Sequence, residues 1–426
     1  MKNLYKKTVL ENGLRLITVP MENANSISVL VLVGTGSKYE TKDINGISHF
    51  LEHMFFKGTE KRPSTLKISE TLDMIGGEYN AFTSKEVTGF WAKVEKSHYD
   101  IALDWIFDMF LNSKFDEEEM NREKTVIIEE VNMYLDTPTA YIGDLWEELL
   151  YGDQPAGWKV IGEKENILSF NREKVLKYYK EHYSPSNITV CVAGAISAKE
   201  TEKSVKNYFE NVNKSEVLPK VKVKESQSEP KILTHYKKTD QTHFCLGVRA
   251  FDLFDERRYA LAILAVILGG NMSSRLFTKV RERNGLAYSI HTSSDNATDS
   301  GYLVTQAGID HKNLEKSIRL ILEEYKDLRE NKINEKELQK AKDYLKGRTS
   351  LALDSSDAQA SFYAQQELLE GTILSPEEKF RKIDKVSIDD IKNVAEDIFV
   401  PKKLNLAIIG PIEEKDSNKI KDLLKL

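Results

Sequence analysis

Cysteine is nearly absent from this chain. Only Cys191 and Cys245 occur, 54 positions apart, which excludes a disulfide scaffold and a cysteine-based zinc site and fits a reducing compartment. Long apolar runs are missing too. Nothing approaches the ~18 residues that span a bilayer, and the opening MKNLYKKTVLENGLRLITV lacks the apolar core of a signal peptide. A soluble, cytoplasmic protein without a membrane partner is the expectation. There is no basic excess: 61 Lys and Arg face 67 Asp and Glu, so no nucleic-acid partner is expected. What is present is a large core. Hydrophobic residues make up 40% of the chain and charged ones 30%, which excludes global disorder. A length of 426 residues is long for one compact domain and comfortable for two.

Self-similarity supports two. Ser184-Pro185 leads through an apolar strand to Gly194, and Val400-Pro401 leads through another to Gly410, 216 residues later. Phe115 to Met120 with Leu135-Asp136 matches Ile333 to Leu338 with Leu353-Asp354 at an offset of 218. Gly77 to Asn80 is mirrored by Gly285 to Tyr288 at 208. Three matches in one order at nearly one offset argue for a duplicated domain. The stretch 213–231, with two prolines and no periodicity, has linker composition. The expected organisation is therefore 1–212, a linker at 213–231, and 232–426. Residues 8–18, 26–34, 87–94 and 187–193 read as strands, and Leu314, Ile318, Ile321, Tyr325 and Leu328 as a buried helical stripe. Strands and helices mix without strict alternation, which predicts an α+β fold with largely antiparallel sheets.

The chemistry begins at His49-Phe50-Leu51-Glu52-His53, between breaks at Gly46 and Gly58. On a helix His49, Glu52 and His53 share a ~100° arc, with the apolar residues opposite. Two imidazoles one turn apart can share a zinc ion, and the carboxylate between them can take a proton from water. Two ordinary histidines would give the same spacing, but the pattern arises by chance in only roughly one in a hundred such sequences. The other six histidines, His98, His182, His235, His243, His291 and His311, show no partner spacing and read as structural.

Catalytic zinc needs a third protein ligand. The helix from Glu118 to Leu135 should bury Met120, Val126, Ile127, Val131 and Tyr134. Glu123 and Glu130, seven residues apart, fall inside that stripe, whereas Glu129 points ~100° away. A carboxylate in an apolar stripe is costly unless paired or bound to a cation. Glu130 is thus the expected ligand, and Glu123 the carboxylate bonding a ligand imidazole from behind.

With Glu130 placed 81 residues after His49, this set resembles the inverted zincins of the pitrilysin/insulinase family, and looks closest to its mitochondrial and bacterial processing-peptidase branch. The resemblance covers essentially the whole chain. It implies a clamshell of two homologous α+β halves, one zinc ion per chain at His49, His53 and Glu130, and Glu52 as general base. Asn12-Gly13-Leu14-Arg15 looks like the family's opening strand. Gly76-Gly77-Glu78-Tyr79-Asn80-Ala81-Phe82-Thr83 looks like its edge strand, which implies that Asn80, Ala81 and Phe82 meet the substrate backbone. Ser273 through Tyr288 resembles the family's second signature, in which an Arg and a Tyr seven residues apart hold the substrate. That spacing selects Arg281 and Tyr288 over the rival Arg283. The second half has no metal motif: its counterpart near His49 is the apolar run Leu264 to Gly270.

The expected activity is zinc endopeptidase action on peptides or extended segments inside a closed chamber. A non-catalytic or heteromeric subunit acting as a peptide-binding scaffold is the alternative. Such a chain would ordinarily have lost one of the two signatures. The expected partners are a peptide substrate and, in an assembly, a second copy of this chain or a related one.

Overall fold

The structure, a computed structural model, describes residues 4–413 and 417–426. Residues 1–3 and 414–416 of the expected domain spans lie outside the described residues. The first half of the chain runs β1 (Lys6–Val9), β2 (Arg15–Pro20), β3 (Ser26–Val33), α1 (Ile47–Met54), α2 (Thr65–Asp73), β4 (Glu78–Thr83), β5 (Thr88–Glu95) and α3 (Tyr99–Asn112). It continues through α4 (Glu117–Asp136), α5 (Pro138–Tyr151), α6 (Lys164–Ser169), α7 (Arg172–His182), β6 (Ile188–Gly194) and α8 (Ala198–Phe209). The second half runs β7 (Lys231–Tyr236), β8 (Thr242–Arg249), α9 (Arg258–Gly269), a π-helical segment Phe277–Arg283, β9 (Ala287–Ala297) and β10 (Ser300–Ile309). It closes with α10 (Leu314–Glu330), α11 (Glu335–Ala352), α12 (Ser356–Glu370), α13 (Pro376–Lys385), α14 (Ile388–Ile398), β11 (Leu404–Gly410) and α15 (Ser417–Lys421).

Two predicted elements differ. Residues 8–18 are not one strand but the β1–β2 hairpin, because Gly13 adopts φ +90° and donates its N–H to the Leu10 carbonyl. On α4 the buried residues are Met120, Glu123, Ile127 and Val131, whereas Val126 and Tyr134 are 52% and 40% exposed. The apolar stripe is narrower than the sequence suggests, so the carboxylates occupy the rest of that face.

The chain forms two compact units, each an α+β assembly around one mixed, mainly antiparallel sheet. The first holds residues 1–132, 159–221 and 350–375. Its strand order is β1-β2-β6-β3-β5-β4, with β2 and β6 the one parallel pair. Strand β4 lies at the edge. The second holds 133–158, 222–349 and 376–426, in the order β7-β11-β8-β10-β9, with β7 parallel to β11. The duplication read at offset 216 is visible here. Strands β6 and β11 each lie between a parallel and an antiparallel neighbour, and both are buried along their whole length.

These units differ from an end-to-end division into 1–212 and 232–426. The chain does pass between them after Val221, inside the expected linker, but it also crosses within α4 and α11. The reason is packing. In the first unit α3 and α8 cover one face of the sheet, and α12, from the second half of the chain, covers the other. Its Ala360, Tyr363 and Ala364 meet Ile17, Val19, Leu30, Leu32, Cys191 and Ala193. Reciprocally, α5 buries Tyr141, Ile142, Leu145 and Trp146 against Cys245, Val304, Ala407 and Ile409 of the second sheet. Each duplicated half lends the other a helix.

Candidate metal centre

Helix α1 begins at a fixed point. Gly46, at φ +99°, turns the chain into it. Buried Glu40 then accepts the backbone N–H of Gly46 on one carboxylate oxygen and that of Ser48 on the other, both at 2.8 Å. A carboxylate on the first amides of a helix satisfies donors that have no partner within it and opposes the helix dipole. Ser48 Oγ also lies 2.7 Å from Tyr178 Oη, which is 2.8 Å from Thr35 Oγ1. Phe50, Leu51 and Met54 are fully buried. The opposite face of α1 therefore carries His49, Glu52 and His53 in a set orientation.

Against that face lies α4. Glu130 Oε2 is 3.7 Å from His49 Nε2 and 3.5 Å from His53 Nε2, and the three ligand atoms lie within 4.8 Å of one another. These separations are too long for good hydrogen bonds but close to the ~3.4 Å edge of a tetrahedron with bonds of about 2.1 Å. Two imidazole nitrogens and one carboxylate oxygen are a donor set that zinc accepts, and they leave its fourth position open. Glu129 is exposed and outside the group.

The electrostatics fit the same reading. Burial, then the neighbouring His53, pushes His49 down to about 3, so its nitrogen stays free as a ligand. Burial pushes the Glu130 carboxyl up, the cost a bound cation would relieve. Glu123 is only 4% exposed and sits 2.7 Å from His53 Nδ1. Burial would raise its pKa, but hydrogen bonds from His53 and Lys57 outweigh that and lower it. The His53 ring thereby presents Nε2 to the cluster. His49 Nδ1 is buried and makes no hydrogen bond among the described residues, so the two imidazoles are not equally braced.

Glu52 stands beside the cluster without joining it. Burial raises its pKa, and the hydroxyl of Thr83, 2.5 Å from Oε2, partly reverses the shift. Asn80, Ala81 and Phe82 lie on edge strand β4, where Asn80 Oδ1 accepts the Ala81 N–H at 2.9 Å. Arg281 and Tyr288 are neighbours in the second unit. The Arg281 guanidinium lies 5.5 Å from the centre of the Tyr288 ring and 4.7 Å from that of Phe277. Tyr288 is 77% exposed and lies outside the core. Helix α9, the counterpart of α1, is buried along Leu261 to Leu268 apart from Ala262 and carries no ligand chemistry.

Two residues that touch this group carry no assignment from the sequence. Lys57 reaches Glu123 Oε2 at 2.5 Å; its spacing of four from His53 and eight from His49 was the available signal. Thr83 had no such signal, since only the sheet brings it to Glu52.

Two imidazoles and a carboxylate converging beside a second carboxylate define a metal-dependent hydrolase type of site, built on a duplicated sheet-and-helix fold. Comparisons with known proteins narrow this class. Residues 15–164 match the insulinase family (peptidase family M16) and 169–345 the M16 inactive domain. The uncharacterized zinc protease YmxG of Bacillus subtilis is 38% identical over 411 residues, covering 96% of this chain and 98% of that protein. An uncharacterized zinc protease of Streptomyces coelicolor is 31% identical, covering 98% and 92%. This chain belongs to the insulinase (M16) peptidase family. Two solved structures share its fold. A Helicobacter pylori protease has a TM-score of 0.90 at 23% identity, covering 96% of this chain and 99% of that one. A peptidase M16 inactive domain from Pseudomonas fluorescens has a TM-score of 0.87 at 17% identity, covering 96% and 98%.

Proposed function

We propose that this chain is a zinc endopeptidase that cleaves peptides and extended segments. The observation that carries the reading is the convergence of His49 and His53 on α1 with Glu130 on α4, with Glu52 beside them on the α1 face. One zinc ion would be held by those three residues; bound, it supplies Lewis acidity toward water and toward a peptide carbonyl. Glu52 is the base. With Oε2 held by Thr83, its Oε1 accepts a proton as a water attacks the scissile carbon, then returns it to the departing amine nitrogen. The new C–O bond replaces the C–N bond, whose electron pair leaves on the nitrogen and takes up that proton. Glu123 and Lys57 keep the His53 ring in place.

In the same reading β4 receives the peptide as an added strand along Asn80, Ala81 and Phe82. Arg281 and Tyr288 donate to the carbonyl oxygen as it gains charge. The unit carrying the donors then acts as catalytic domain and the other as substrate-holding domain, closing on the peptide in a chamber. Such a chamber admits flexible chains and rejects folded ones by size. One chain carries every group required, so a homodimer or a heterodimer with a related chain would be an assembly of complete sites. The match of 169–345 to an inactive domain suits the lack of ligands on α9 and leaves the α1–α4 donor set intact, which disfavours a pure scaffold. A reducing, cytoplasmic setting is supported by the free thiols of Cys191 and Cys245. Among the described residues no helix is long and apolar enough to cross a membrane.

The test is hydrolysis of a quenched fluorogenic peptide library by the purified protein, before and after chelation and zinc restoration. Chelation should abolish cleavage and zinc should restore it. Glu52→Gln should retain zinc and lose at least ~10²-fold in kcat, the usual share of general base catalysis. Near-normal turnover in that zinc-replete variant would remove Glu52 from the role.

A further inference from the structure

The hydroxyl that Glu52 accepts belongs to the last residue of the edge strand. Thr83 Oγ1 donates to Glu52 Oε2 at 2.5 Å, and β4 ends at Thr83. The contact fixes one oxygen of a largely buried carboxylate and leaves the other for chemistry. Thr is β-branched and stiff about χ1, so the direction of its hydroxyl follows from its backbone. That backbone is itself held. Thr83 is paired with Thr88 across the β4–β5 hairpin. The turn between them is closed by the Ser84 N–H to the Val87 carbonyl at 2.8 Å and by the Val87 N–H to Ser84 Oγ at 3.2 Å.

The turn is strapped in addition to the 36–38 segment. Ser37 donates its N–H to the Ser84 carbonyl at 3.2 Å and Lys38 its N–H to the Lys85 carbonyl at 2.9 Å. Lys38 and Lys220 both donate to the buried Glu86 carboxylate, at 2.9 and 2.6 Å. Gly36 lets the strap approach, since a Cβ there would stand 2.2 Å from the Ser84 carbonyl oxygen. The hydroxyl is thus delivered to Glu52 by a preformed scaffold. The three residues before it, Asn80, Ala81 and Phe82, are those on which a peptide would pair.

We propose that Thr83 is a positioning residue: it fixes the Glu52 carboxylate and indexes it to the strand that registers the substrate, so that a peptide paired with β4 finds the base already aimed. The inference rests on the reading of Glu52 as general base. A lost hydroxyl then frees the carboxylate to rotate, which lowers the rate of the chemical step and leaves peptide pairing with the backbone of β4 intact.

The test compares Thr83→Val and Thr83→Ser, alone and with Glu52→Gln, on one fluorogenic peptide with zinc content measured in parallel. Thr83→Val keeps the side chain's shape and removes the donor. It should retain stoichiometric zinc and an unchanged KM while kcat falls about 10- to 100-fold, the scale on which groups supporting a site act. Thr83→Ser, which keeps the donor, should stay near wild-type kcat. In the Glu52→Gln background Thr83→Val should cost nothing further, because the group it orients is gone. A full kcat in Thr83→Val beside an inactive Glu52→Gln overturns this inference alone. So does a Ser variant as impaired as the Val one, or a defect confined to KM. Full activity in zinc-replete Glu52→Gln overturns the reading beneath it and the inference together.

Discussion

Glu123 is charged, buried and gripped from two sides, by the His53 ring and by the Lys57 ammonium. Neither partner alone would compensate the loss of water around that carboxylate. Lys57→Met therefore acts on the metal site without touching a ligand. The expected outcome is a drop in zinc affinity of about 10- to 100-fold, the range for groups that brace a ligand, read by competition with a chromophoric chelator. An unchanged affinity would show that Glu123 needs only His53. The asymmetry between the imidazoles bears on the same point, because among the described residues His49 Nδ1 has no hydrogen-bond partner. At this scale much of the site is legible in the sequence. The helical phases of His49, Glu52, His53, Glu123 and Glu130 place them on two facing stripes. Lys57 and Thr83 escape because their roles depend on partners 66 positions ahead and 31 behind, which no local period connects.

Element geometry explains where the sequence reading strayed. Val126 and Tyr134 are apolar at helical spacing, yet α4 turns them outward because its inward face is occupied by Glu123 and Glu130. Hydrophobic period alone widens the stripe; function narrows it. The 8–18 run breaks into a hairpin because Asn12-Gly13 is a turn dipeptide and apolar flanks masked it. The segment from Gly36 to Lys38 shows how an element without regular structure can set a site. Gly36→Ala would press a methyl group into the Ser84 carbonyl, so either the strap or the β4–β5 turn must move. We expect a stability loss of at least about 1–3 kcal/mol, as for other overpacked positions, together with reduced kcat as Thr83 shifts. Urea denaturation and peptide hydrolysis measure the two. Lost stability with full kcat would mean that the strap yields and the turn does not.

For the whole molecule the decisive feature is the exchange of α5 and α12. The duplication is legible as three matched segments at nearly one offset. The exchange is not, because each helix lies in its own half of the sequence and nothing in its pattern says which sheet it will cover. A fragment of residues 1–231 contains every donor of the metal centre but lacks α12. It should leave Ile17, Val19, Leu30, Leu32 and Cys191 uncovered, aggregate, and fail to hold zinc at one ion per chain; co-expression with 232–426 should restore both. Size-exclusion chromatography with metal analysis is the check, and a monodisperse, zinc-loaded fragment would contradict it. The same exchange imposes an order on manufacture. The last metal ligand, Glu130, leaves the ribosome 245 residues before Ser375 completes the first unit, a delay of roughly 10–50 s at ordinary elongation rates. Through that interval the nascent chain has the three candidate metal ligands but not the helix that covers their sheet. In the reading proposed above, the metal centre gains the helix behind its sheet only when α12 has been made.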